Sequence, residues 1–293
     1  MAAECWRSRS IKTKIMTPPT IGILEGRLTP TRGRGIQFFP DGAGEWEKEF
    51  ESAQAAGLGA IELLVRGKGL YEHPLMSDAG RARLQELSRV HGIALPSVHG
   101  YYSIEDQYAN NIADIVDATD AIGAKVILIS FFNERKLSPV LNETWTHAHT
   151  QLKEAARRAK AKGIKLGIEA ELPAETLLAF IAEAETPEVF GVYYDLGNQF
   201  SCGFPVVDEL KLLDHRVVGI HVKDRLPSTL EHEGVTVPLG EGNADFTSAF
   251  YTLKNIGYSS PIILQTARTE EGAEVSLASN NRMFVQKILA DVW

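Results

Sequence analysis

The sequence predicts an α/β chain folded as a single-domain (β/α)8 barrel of the TIM type. Three observations carry that expectation. Short, continuously apolar runs recur eight times, and longer amphipathic stretches separate them. Such runs suit parallel strands buried on both faces. Five joints between a helical stretch and the next run hold a glycine: Gly57, Gly92, Gly123, Gly163 and Gly257. Glycine there supplies the left-handed conformation that ends a helix. Finally, no G-x-G-x-x-G follows the first run, which argues against an open dinucleotide-binding sheet.

The elements follow in order. The predicted strands are Ile21–Leu24, Ala60–Val65, Ile93–Val98, Lys125–Ser130, Ile164–Ile168, Phe190–Tyr194, Val217–Val222 and Pro261–Leu264. The predicted helices are Glu45–Ala56, Ser77–His91, Gln107–Ile122, Pro139–Lys162, Pro173–Glu185, Pro205–Asp214, Asp245–Ile256 and Glu274–Ala290. Strict alternation of this kind implies right-handed crossovers. Residues 1–19 carry Arg7, Arg9, Lys12 and Lys14 with no apolar stretch, and read as a flexible extension ahead of a barrel spanning 20–293.

Charge narrows the partners. The chain of 293 residues has 30 Lys and Arg against 38 Asp and Glu, a net charge of −8. An acidic balance argues against nucleic acid or an anionic membrane surface. No apolar run approaches the ~20 residues that span a bilayer. The two cysteines, Cys5 and Cys202, cannot build a disulfide framework, so a cytoplasmic location is expected.

In such barrels chemistry sits at the C-terminal ends of the strands. Those ends read Glu25, Glu62, His99, Ser130, Glu169, Asp195, His221 and Gln265. Taken singly, each has an ordinary structural role open to it. Together they would converge on one mouth. The sharpest subset is Glu169, Asp195, His221 and Gln265, from the last four strands. Two carboxylates, an imidazole and an amide oxygen suit Mn²⁺, Mg²⁺ or Co²⁺, with Zn²⁺ as an alternative.

Several stretches resemble the xylose-isomerase-like superfamily of sugar and sugar-phosphate isomerases and epimerases, and within it the L-ribulose-5-phosphate 3-epimerases. They are Gly167-Ile-Glu169, Tyr194-Asp-Leu-Gly-Asn198, Gly219-Ile-His-Val-Lys-Asp224, and Val237-Pro-Leu-Gly-Glu-Gly242 followed by Asp245-Phe246. The resemblance implies a divalent metal held by a Glu, an Asp, a His and a second Glu. It also implies a cis-enediolate formed with Glu169 as base, a sugar or sugar-phosphate substrate, and a homo-oligomer. Glu169, Asp195 and His221 match the first three ligands. The fourth position departs from the pattern, because it is Gln265. A glutamine can ligate through oxygen but cannot serve as the second base of an epimerase. A 1,2-isomerase needs only one base, whereas an epimerase would need a substitute, for which His99, Glu62 and Glu25 are candidates. A dehydratase or lyase passing through an enediolate, and a non-catalytic carbohydrate-binding barrel, are the alternatives. An apurinic-site nuclease on this barrel would need more histidine ligands and a basic face.

Further candidates surround the mouth, where Glu25, Arg27, Glu62, Asn198, Arg225, Glu241 and Arg268 are the expected substrate-binding residues. Lys223 can polarise an enediolate oxygen or bind substrate, and Asn198 can orient the metal shell. The turn Pro238–Asn243, with Glu241 inside it, offers backbone N–H groups to an anion such as phosphate. Arg225, Arg268 and Arg27 are the matching bidentate candidates. Asp224 can instead anchor the loop, and Tyr101 and Tyr102 are placed to stack on a sugar.

Overall fold

The computed structural model describes residues 17–293 apart from 36, 43, 67–68, 102–110, 133–135, 141, 228, 230–233 and 269. The proposed extension therefore lies almost wholly outside the described residues. The strands are β1 (Ile21–Leu24), β2 (Ala60–Arg66), β3 (Ser97–Tyr101), β4 (Val126–Phe131), β5 (Lys165–Ala170), β6 (Phe190–Asp195), β7 (Val217–Val222), β8 (Asp224–Arg225), β9 (Thr236–Val237) and β10 (Ile262–Leu264). The helices are α1 (Glu45–Ala55), α2 (Asp78–His91), α3 (Asn111–Ile122), α4 (Asn142–Lys162), α5 (Ala174–Glu183), α6 (Leu196–Ser201), α7 (Val206–Leu213), α8 (Phe246–Asn255) and α9 (Glu274–Val292). Strands β1 to β7 and β10 close into one parallel barrel, with β10 between β7 and β1, while β8 and β9 form a separate small ribbon. None of the described helices is long and apolar enough to cross a membrane.

Strand alternation sorts the side chains into two environments. Outward residues such as Ile23, Leu63, Val98, Ile129, Ile168, Val192, Ile220 and Leu264 pack on the helices in one continuous core with Phe50, Leu84, Val116, Leu152, Phe180, Phe250 and Val285. The interior holds a small apolar group of its own, Leu24, Leu64 and Ile263. The rest of the buried interior is strongly polar: Glu62, Ser97, His99, Glu169, Asp195 and His221 all lie within it.

Three details set the height of the polar residues. Residues Gly57, Gly92, Gly123, Gly163 and Gly257 all take positive φ, between 64° and 82°, as their positions at the joints require. Strand β3 begins at Ser97, not at Ile93. Pro96 has no N–H for a ladder, and the N–H of Ile93 is taken by the Ser88 carbonyl at the end of α2. Consequently His99 lies in the middle of its strand. Likewise β2 runs on to Arg66, so Glu62 sits deep in the barrel and not at a strand end. A register shift between Val192 and Tyr193 then brings Asp195 opposite His221 across the β6–β7 pair.

The interior is shaped by two glycines. Gly167 and Gly219 flank β6, and each precedes an inward ionisable residue by two positions. A Cβ at Gly219 would lie 2.2 Å from Tyr193 Cε2, and one at Gly167 would lie 3.1 Å from Tyr193 Cβ. The missing side chains make room for the Tyr193 ring inside the barrel. On the outside, Glu49 of α1 reaches back to the loop after β1. It accepts from Gly26 N at 2.7 Å, Leu28 N at 3.2 Å and Thr29 Oγ1 at 2.7 Å. Burial and the nearby Glu25 push its carboxyl up to about 8, against the pull of these donors.

Two outcomes are expected. Gly219→Ala must displace the Tyr193 ring and should cost about 1–3 kcal/mol in urea unfolding, clearly more than Gly167→Ala. For Glu49, the raised value means that the folded state holds the extra proton. Its contribution to stability is full below the ordinary 4.5 and is lost as pH rises towards about 8. The thermal midpoint of the wild type relative to Glu49→Gln should therefore fall across that window. A gap that widened with pH would mean that Glu49 is ionised in the folded protein throughout.

Candidate active site

At the centre, Glu169, Asp195 and His221 each present one ligand atom, and these atoms lie within 4.8 Å of one another. They come from the neighbouring strands β5, β6 and β7, and all three are buried. The site forms because each residue occupies the last or next-to-last inward position of its strand. Gln265 follows β10 directly, with its N–H donated to Val222 O at 2.9 Å. Among the described residues, Glu169 Oε2, His221 Nδ1 and Gln265 Oε1 are buried atoms without a hydrogen-bond partner. His221 Nδ1 stands 3.5 Å from Glu169 Oε1.

Asp195 is fixed differently. Its Oδ1 caps α6 by accepting from Asn198 N at 2.9 Å, and its Oδ2 pairs with Lys223 Nζ at 2.9 Å. Burial opposes its charge, but Lys223 and His221 outweigh burial and hold the carboxyl below its ordinary value. Glu169 goes the other way: burial raises it, only partly offset by His221. Burial would depress His221, yet Glu62 and Glu169 on either side lift it to about 9. His99 shows burial winning, at about 3. It is neutral at pH 7, its ring centroid 5.6 Å from that of His221.

Below His221 lies Glu62, fully buried. Its Oε1 is 2.7 Å from His221 Nε2 and 3.8 Å from His99 Nδ1. Its Oε2 accepts from Ser97 Oγ at 2.6 Å and Tyr193 OH at 2.5 Å. Glu25 is engaged through its Oε2. Leu75 N donates to His73 Nδ1, so the proton is on His73 Nε2, which donates to Glu25 Oε2 at 3.1 Å. Leu64 N donates to that same oxygen at 2.7 Å.

Around the rim, Asn198 Oδ1 accepts from Lys223 Nζ at 3.3 Å and Arg225 Nη1 at 2.9 Å. Arg225 also reaches Glu171 Oε1 at 3.4 Å and the Gly234 carbonyl. Arg27 Nη1 donates to Thr266 O at 3.0 Å, and Arg268 donates to Thr29 O and Gly26 O at 3.2 and 2.6 Å. The two arginines brace the loop after β1 against the loop after β10. Burial and the adjacent Arg268 draw Arg27 down to about 9.

The glycine-rich turn does hold an anion, but that anion is Asp224. Its carboxylate accepts from Gly240 N at 2.9 Å, Gly242 N at 3.0 Å and Ala244 N at 3.2 Å. The N–H groups expected to meet a phosphate are therefore occupied, as the anchoring role for Asp224 anticipates. Glu241 lies exposed in the same turn. Tyr101 ends β3, and Tyr102 lies outside the described residues.

Sequence reasoning missed Tyr193 and Ser97 in the interior and Glu49 and His73 beneath the loops. For the first two a signal existed. Each precedes an inward residue, Asp195 or His99, by two positions on one strand, and so shares its face. Glu49 sits in a run of acidic helix residues, where nothing marks one of them as buried.

Residues 50–283 match the family model described as xylose isomerase-like TIM barrel. An L-ribulose-5-phosphate 3-epimerase UlaE from Shigella boydii serotype 18 is 32% identical over 131 residues, which cover 42% of this chain and 44% of that protein. The chain thus spans less than half the length of that relative. The enzyme of the same name from Shigella flexneri serotype 5b is 26% identical over 247 residues, covering 76% of this chain and 83% of its own. A xylose isomerase-like TIM barrel protein from Mycobacterium smegmatis, solved in complex with magnesium, shares the fold with a TM-score of 0.70 at 15% identity, over 93% of this chain and 97% of that one. By its matched length, its closed barrel and the order of its strands, the chain belongs to the xylose isomerase-like TIM barrel family.

Proposed function

We propose that this protein is a divalent-metal-dependent sugar or sugar-phosphate isomerase or epimerase, with Glu169 as the base that takes a carbon-bound proton. The observation that carries this reading is the buried group Glu169, Asp195 and His221, with His221 Nδ1 facing Glu169 and with Glu169 Oε2 and Gln265 Oε1 lacking hydrogen-bond partners. Buried polar atoms left without partners are costly, and several on adjoining strands fit a cation between them. Hard oxygens with one imidazole suit Mn²⁺, Mg²⁺ or Co²⁺, and the magnesium of the Mycobacterium smegmatis protein supports the same class. Such an ion supplies Lewis-acid polarisation of a substrate carbonyl.

The side chains then divide the work. Glu169 removes the proton next to the carbonyl, giving a cis-enediolate of the sugar. Lys223, held by Asp195 and Asn198 and still partly exposed, is placed to stabilise the developing oxygen charge. Gln265 contributes an oxygen without a charge. The names of the Shigella relatives support a 3-epimerase of a ketopentose phosphate. One observation favours the one-base reading instead. Both oxygens of Glu62 and Oε2 of Glu25 are taken by internal hydrogen bonds, and burial holds His99 far below the range of an effective base. A 1,2-isomerase returning the proton through Glu169 itself needs no further base.

Two experiments test these claims. Glu169→Gln should lower turnover by roughly 10²–10⁴-fold, the ordinary worth of a general base, while the protein remains folded. Wild-type turnover in that variant would remove Glu169 from its role. Separately, purified protein should carry stoichiometric divalent metal by elemental analysis. Its dialysis against chelator should lower the thermal midpoint, with Mn²⁺ restoring it. In D₂O with ketoses and their phosphates, deuterium entering C1 marks a one-base isomerase, and deuterium entering C3 marks an epimerase. Absence of both metal and exchange in folded protein would count against this reading and favour the binding-barrel alternative.

A further inference from the structure

We propose that Glu62 is the positioning residue of this site: it fixes the His221 ring with Nε2–H toward itself and Nδ1 toward Glu169 and Asp195. The geometry excludes two other roles, second base and substrate ligand. Each Glu62 oxygen already accepts hydrogen bonds from buried donors, Oε1 from His221 and Oε2 from Ser97 and Tyr193. With no surface exposed, it reaches neither substrate nor solvent. It lies on the opposite side of the His221 ring from the Glu169 carboxylate, since one contacts Nε2 and the other faces Nδ1. Glu62 is therefore neither the substitute second base nor a substrate ligand.

A carboxylate only accepts, so the proton between the two groups belongs to His221 Nε2. That leaves Nδ1 as the ring atom offered to the open side. A histidine that binds metal through one nitrogen is characteristically held through the other by a carboxylate, and loss of that partner weakens metal binding by about 10–100-fold. The support for Glu62 is itself rigid. Tyr193 OH and Ser97 Oγ come from β6 and β3, and the Tyr193 ring is locked into the space left by Gly167 and Gly219. The His221 ring cannot turn over without breaking its bond to Glu62. Only the statement of what Nδ1 holds rests on the function proposed above.

The test has two readouts on the full chain. Proton NMR of the metal-free protein should show a slowly exchanging, far-downfield His221 Nε2–H that moves upfield in Glu62→Gln. Cobalt titration, followed through its visible absorption, should show an affinity about 10–100-fold lower in Glu62→Gln. Tyr193→Phe should give a smaller loss, and it serves as the test if Glu62→Gln does not fold. Val285→Ala, remote in the helical core, should lower the thermal midpoint while keeping wild-type cobalt affinity. Unchanged cobalt affinity in both interior variants overturns the assignment, as does the absence of the downfield proton in the wild type. A wild type that shows the proton but takes up no cobalt refutes the metal reading and leaves the Glu62–His221 pairing supported.

Discussion

A carboxylate with no exposed surface must be answered by donors, and Glu62 sets that demand at the heart of this barrel. Its three donors come from β3, β6 and β7, so they tie strands on opposite sides of the ring to one point. Each donor brings a further requirement. Tyr193 fits only because Gly167 and Gly219 carry no side chain. Its hydroxyl reaches Glu62 from an inward position level with Gly219. The register shift between β6 and β7 aligns Asp195 with His221. The site at the mouth and the ion pair beneath it are thus products of one packing solution.

The loops repeat this logic. Glu49 gathers the N–H groups of the loop after β1, Asp224 those of the turn before α8, and Glu25 links β1 to β2 and to His73. Internal carboxylates do here what bound anions do in barrels with open phosphate cups. The acidic composition of the chain is therefore partly structural, with several carboxyl groups buried and bonded to backbone. Arginines follow suit, since Arg27 and Arg268 brace carbonyls of opposing loops.

The fold was legible because its signals are periodic. Continuous apolar runs and joint glycines report burial on both faces and helix ends, and those constraints act on each unit alone. The boundary that failed, at β3, turned on Pro96, whose missing N–H matters only once the neighbouring strand is known. Glu169, Asp195 and His221 were legible because they end strands. Glu62 was visible as a residue but misplaced in height, since a strand's last residue depends on its partners. Short elements such as α6 and the β8–β9 ribbon are tied by local contacts, among them the Asp195 cap and the Asp224 anchor, that no periodicity announces.

Gln265 acquires a physical reason from the same interior. The carboxylates of Glu62, Glu169 and Asp195 share a buried space with the ammonium of Lys223. Without metal, an imidazolium at His221 supplies part of the missing positive charge, which is why its pKa is lifted to about 9. On the proposed reading, a divalent cation with neutral His221 and Lys223 offsets those three carboxylates, and Arg27 stands near Asp195 as a further positive group. A fourth carboxylate at 265 would add one more negative charge to a buried group that already holds three, a costly arrangement. With Glu62 ionised inside the barrel, a neutral residue at the end of β10 limits the negative charge buried there. The residue that departs from the family pattern and the buried glutamate beneath His221 are, in this account, two sides of one electrostatic constraint.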